Sequence, residues 1–210
     1  MRGPTQMSGL PERQIRARFD QRTIRVYQAY SAEIAVKAVE RQTFASPPFK
    51  MDRMTWIKPS FLWMMYRSGW GEKDPGQAHI LAIDISRSGF EWALAHGCES
   101  RPPDGASAED WAALKARSPV RIQWDPERDL DLQPLAHRAI QIGLGGEAVR
   151  LYVSDWIERI TEVTDLARRI KSLRDEGRRD EALALLPREE PYPSDFIWGS
   201  SIERDRIGHG

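Results

Sequence analysis

Cysteine is nearly absent: Cys98 stands alone in 210 residues. An internal disulfide needs two cysteines and a cysteine-rich zinc site needs several, so both are excluded. Histidine is scarce as well. His79, His96, His137 and His209 are scattered, with no H-x-x-x-H or H-E-x-x-H spacing, and no metal is expected. Net charge is zero, 31 basic residues against 31 acidic, which excludes a uniformly basic nucleic-acid coat or an acidic solvating tail. No stretch approaches the roughly 18 apolar residues of a bilayer-spanning helix. The opening MRGPTQMSGLPERQIRARFD carries no hydrophobic signal core. The expectation is therefore a cytoplasmic globular protein with no membrane partner. The phosphate loop, the dinucleotide fingerprint G-x-G-x-x-G and the G-x-S-x-G elbow are all missing. Lysine is under-used: 6 of the basic residues are Lys and 25 are Arg. A guanidinium fork suits phosphate or carboxylate, although a GC-rich genome gives the same bias.

Hydrophobic patterning supplies the elements. Residues 23–30 alternate and read as a strand, with Ile24, Val26, Gln28 and Tyr30 on one face and Arg25, Tyr27 and Ala29 on the other. Ser31 caps a helix that fades near Arg41, and Ser46-Pro47-Pro48 breaks the chain. A strand at 53–58 leads into a helix over 61–67 that is apolar almost all round and should be buried on most sides. Further strands are expected at 79–85, 120–124, 138–144 and 157–163. Helices are expected from 89 to a stop at Gly97, over 108–117 with Trp111 and Leu114 inward, and over 147–156. Thr164 should cap a helix over 165–176, followed by another at 179–186. Residues 125–135 read as a charged connection. Strands interleaved with short helices over uneven connections predict an α+β fold: a single mixed domain with a curved, mainly antiparallel sheet and a C-terminal helical cap. The divisions are a flexible arm at 1–14, the core at 15–163, a helical hairpin at 164–190 and an extended tail at 191–210.

Chemistry concentrates between Arg53 and Lys73. Arg53, Lys58, Arg67 and Lys73 alternate there with Trp56, Phe61, Trp63, Tyr66 and Trp70. Cations among flat rings suit a ligand both anionic and planar, such as a nucleotide or a single strand of nucleic acid. Within it, Lys58 and Ser60 flank a helix start, where free N–H groups favour an anion. The same aromatics also read as plain core with snorkelling arginines. Arg25 and Tyr27 on the first strand form a second candidate, against a plain salt bridge. Gln141 and the glycines 143, 145 and 146 form a third, against a simple turn. Glu147 is among the carboxylates nearest a strand end.

Two resemblances follow from these residues. Ile24-Arg25-Val26-Tyr27-Gln28-Ala29-Tyr30, the block Arg53 to Met64, Gln141-Ile142-Gly143-Leu144 and Trp156-Ile157 resemble family 4291 of the domains of unknown function, over roughly 15–195. That family implies kinship and no activity. The order of elements is also similar to the ADP-ribosyltransferase architecture. This second resemblance implies that Arg25 holds the nicotinamide dinucleotide, NAD, and that Trp56 or Ser60 packs on nicotinamide. Gln141 then stands where a glutamate is expected, with Glu147 as a substitute acid. The reading at this point is a nucleotide- or NAD-binding protein, with Arg25, Tyr27, Arg53, Trp56, Lys58 and Ser60 as binding residues. Transfer to nucleic acid or protein is the implied reaction. A non-catalytic single-strand-binding module and a protein-interaction domain stay open as alternatives.

Overall fold

A computed structural model of the chain describes residues 10–102, 105 and 107–194. In chain order the elements are β1 (Arg16–Ala17), β2 (Thr23–Tyr30), α1 (Ala32–Arg41), β3 (Thr55–Ile57), α2 (Phe61–Ser68), β4 (His79–Ser86), α3 (Arg87–Ala95), β5 (Gly97–Glu99), α4 (Ala108–Arg117), β6 (Val120–Arg128), β7 (Pro134–Leu144), α5 (Glu147–Leu151), β8 (Ile157–Glu162), α6 (Thr164–Asp175), α7 (Arg179–Leu185) and β9 (Glu190–Pro191). The class is α+β, with strands mainly antiparallel. They divide into more than one sheet. β2, β4 and β8 pair in the order β2-β4-β8, and β3, β7, β6 and β5 pair in the order β3-β7-β6-β5, with β5 parallel to β6. One bridge joins the two groups, where the Tyr27 amide donates to the Lys58 carbonyl at 2.7 Å.

The two faces of β2 separate two cores. Ile24 and Val26 join Leu81, Ile83 and Ile85 of β4, Ile57, Ile122 and Ile142, with Ala35 and Ala38 of α1 and Phe90 and Leu94 of α3. On the opposite face Tyr27, Ile80 and Ala82 pack against Phe61, Met64 and Met65 of α2 and Ala167, Ile170 and Leu173 of α6. Each fully buried Ile or Leu contributes on the order of 1.5–3 kcal/mol. The α6–α7 hairpin thus covers the sheet face that the first core leaves bare. This division also decides which β2 side chains can reach a ligand.

Several local expectations are corrected. Pro126 does not end its strand. β6 continues to Arg128 through an irregularity in its register with β7, a place where proline is tolerated. The connection shrinks to a turn in which Asp129 accepts from the amides of Asp131 and Gln133. α3 stops at Ala95, and Gly97 opens β5 because Ile122 packs where a Cβ would stand. Trp111 and Leu114 are half-buried, and α4 has no fully buried residue. Residues 152–156 form a π turn after α5. Thr164 does not cap α6; its hydroxyl accepts from the Ile80 amide and ties the helix to β4. Residues 1–9 of the proposed arm and 195–210 of the tail lie outside the described residues. Glu12 of the arm pairs with β7 through its carbonyl. Tyr192 of the tail is buried.

Candidate functional site

A cleft of about 990 Å³ opens beside the junction of β2 and β3. β2, β3, α2, β6 and β7 wall it, together with Ile34 of α1, residues 48–50 and 53–54, and residues 73–74 and 76–77. Its floor is a satisfied polar network. Gln28 donates to Thr55 Oγ1 at 2.6 Å and to the Trp56 carbonyl at 3.2 Å, and accepts from the Tyr152 hydroxyl at 2.7 Å. Tyr30 and Thr55 share a further hydrogen bond at 2.8 Å. Such a network fixes side chains because each unmade bond would strand a buried polar group. Tyr152→Phe leaves the Gln28 carbonyl oxygen without its donor. It should cost about 1–3 kcal/mol in urea unfolding.

Five cations line the cleft, Lys50, Arg53, Lys58, Arg67 and Lys73, against two carboxylates, Asp74 and Asp125. None of the five forms an ion pair among the described residues, which is equally true of Arg22, Lys37, Arg41 and Arg159; what sets the five apart is that they share one hollow. In a chain of zero net charge, this hollow gathers five positive groups against two negative ones. Three of the six lysines are here.

Lys58 is the deepest of them, 5% exposed. Its Nζ donates to the Trp56 carbonyl at 3.2 Å. Burial, reinforced by the Arg67 charge, brings its pKa down to about 7, and Asp125 opposes the change. Asp125 is held in turn. Gln141 Nε2 donates to Oδ2 at 2.6 Å, and Gln123 Nε2 donates to Oδ1 at 2.9 Å. Gln123 and Gln141 are directly opposed in the β6–β7 register, so two amides aim one carboxylate. The indole of Trp56 lies over Gly143 of β7, where a Cβ would come within 2.9 Å of the ring. Gly143 therefore seats a protein side chain.

The structure brings together Arg53, Trp56, Lys58 and Gln141, and leaves four candidates elsewhere. Arg25 lies on the other face of β2, where Nε and Nη2 each reach the Asp84 carboxylate at 2.7 Å. Tyr27 follows it there. Both line a separate hollow of about 230 Å³ against α6 and residues 185–188. Strand alternation forces this outcome, because Gln28 and Tyr30 take the cleft side. Glu147 is exposed on α5 and outside the cleft.

Ser60 caps α2 by accepting from the Trp63 amide at 3.0 Å and donates to Glu127 at 2.9 Å. The helix N-terminus that looked open to an anion is filled by the chain itself, since Glu189 accepts from the Phe61 amide at 2.7 Å. Burial, followed by the charge of Glu127, raises the Glu189 pKa to about 8, and the Phe61 amide works against the rise. Between about pH 4.5 and pH 8 the folded state then holds a proton the unfolded chain has lost. This group's contribution to stability falls as pH rises through that window. Glu189→Gln should flatten that part of the curve, as read by chemical unfolding at pH 5 and pH 8.

Asp125, Gln123, Gln28 and Lys50 escaped the sequence reading. Asp125 was hidden by the false strand end at Pro126. The i, i+2 spacing of Gln123 and Asp125 was the available signal. Of the aromatic run, Trp56, Trp63 and Tyr66 reach the cleft, and Phe61 and Trp70 are core. No group of three His, Cys, Asp or Glu side chains is placed to hold a metal among the described residues. No helix among them is long and apolar enough to cross a membrane.

Fold and site together define an α+β protein with a cation-lined cleft between its strands. The chain belongs to the family described as domain of unknown function DUF4291, whose model matches residues 14–192. No curated protein matches it.

Proposed function

We propose that the cleft binds a nucleotide, and that NAD is the ligand it turns over as an ADP-ribosyl donor. The observation that carries the binding is the set of unpaired cations around the hollow. Lys58 and Arg67, whose charge is close enough to be felt at Lys58, take the diphosphate. Charge-assisted contacts in a partly dry site are the strong kind. Trp56, immobilised over Gly143, offers a flat face to a ring.

The transferase reading rests on Asp125. The architecture that the element order resembles uses a late-strand glutamate to stabilise an oxocarbenium-like centre, and Gln141 lacks the charge. Asp125 on the adjacent strand supplies a carboxylate, and Gln141 positions it. In this step the bond from ribose C1′ to nicotinamide breaks and nicotinamide departs with the bonding pair. A new bond forms from C1′ to the acceptor nucleophile, whose proton passes to solvent. Asp125 faces the positive charge that builds at C1′. The first-strand arginine of that architecture has no counterpart in the cleft, and Lys58 takes over the phosphate. Incubation with NAD labelled in its adenylate half tests the reaction. Nicotinamide release with label appearing on an acceptor is the expected result, and intact NAD after prolonged incubation with protein and nucleic-acid acceptors would remove it.

A further inference from the structure

The outer part of the cleft carries more positive charge than a dinucleotide uses. With Lys58 and Arg67 assigned to its two phosphates, Lys50, Arg53 and Lys73 remain. All three are exposed and unpaired among the described residues, and they come from chain segments on both sides of α2. Interleaved with them are apolar groups that a plain anion site has no use for. Tyr66 is 40% exposed and Met54 is 39% exposed. The Tyr66 ring is held in place. Trp63 stacks on it with centroids 5.1 Å apart, and the Arg128 guanidinium sits 3.6 Å from its centroid. A fixed, exposed ring among cations matches the alternation of base and phosphate in an unpaired strand. A duplex hides its base faces, and an acidic peptide gives the ring nothing to stack on.

We propose that this rim binds a single-stranded nucleic-acid segment, which is the acceptor. The proposal deepens the donor-site reading and rests on it for the word acceptor; strand binding itself does not depend on NAD. Lys50, Arg53 and Lys73 hold successive phosphates, and Tyr66 stacks a base.

The test is fluorescence anisotropy with a labelled 12-nucleotide oligopyrimidine, in RNA and DNA forms, between 50 and 300 mM salt. Single strands lose about 0.7 in log-log salt slope per phosphate released, so three contacts predict a slope near about −2. The double variant Arg53→Ala/Lys73→Ala should reduce that slope to about −0.7. Tyr66→Ala should weaken binding by about 5- to 100-fold with the slope unchanged, which a purely ionic site would not show. Absence of binding at 50 mM salt overturns the proposal. So does equal competition by polyglutamate combined with no effect of Tyr66→Ala, the result expected of an acidic protein acceptor. Calorimetry with NAD on the same proteins separates the two readings. Strand binding with no NAD heat removes the donor site and leaves the strand site standing, while NAD heat with no strand binding does the reverse.

Discussion

Lys58→Met should make the protein more stable at neutral pH and below, and deprive it of nucleotide binding. In the folded chain Lys58 is buried beside another cation, with a carbonyl in place of a carboxylate partner. An ammonium so placed has lost hydration that nothing fully replaces. The unfolded chain titrates this lysine near 10.5 and the folded chain at about 7. Between those values the unfolded state binds more protons, so wild-type stability rises with pH from about 7 upward. Methionine keeps the length and apolar stem and removes the titration. The stability advantage of the variant should be largest at pH 6 and shrink steadily toward pH 10, with a ceiling on the order of 5 kcal/mol. Unfolding in urea at pH 6 and pH 9.5 measures it. Higher pH should be avoided, because burial holds the hydroxyl protons of Tyr27, Tyr30 and Tyr152 in the folded state beyond the range where unfolded tyrosines lose theirs. A stabilising substitution that abolishes binding is the mark of a side chain kept for its ligand.

Asp125→Asn should have the largest effect on turnover. The amide preserves size but removes the negative charge that faces the reacting carbon. Loss of one preorganised electrostatic contact commonly lowers kcat by about 100- to 1,000-fold. The effect should fall on kcat, with KM changed little, since the interaction strengthens as charge develops at C1′. Gln141→Leu, which leaves the carboxylate but removes one of its supports, should produce a smaller loss. Nicotinamide release under single-turnover conditions reads both. An Asp125→Asn protein that releases nicotinamide at the wild-type rate would refute the assigned role.

Much of the scaffold was visible in the chain because its periodicities are local. The alternation from Thr23 to Tyr30 and the serines at 31, 60 and 107 mark element starts that stand where they were placed. The site was less legible, for reasons that can be named. Alternation in β2 placed Arg25 and Gln28 on different faces, but composition cannot say which face meets the cleft. That depends on α6 and α7, over a hundred residues later, covering the Arg25 side. Asp84, the partner that neutralises Arg25, is set by register with β4. Ser60 looked like an open anion site because Glu189, which closes the α2 N-terminus, arrives from the far end of the described chain. Lys58 could be recognised early, since a lysine inside an apolar run is costly wherever the run folds.

Everything functional here depends on the unpaired cations of the cleft having an anionic ligand. Titration calorimetry of NAD and ADP-ribose into wild-type protein and Lys58→Met, side by side at low salt, tests this most directly. A single saturable site in the wild type, lost in a variant that remains folded, is the predicted result. Silence with both ligands, or equal heats from the two proteins, would contradict it.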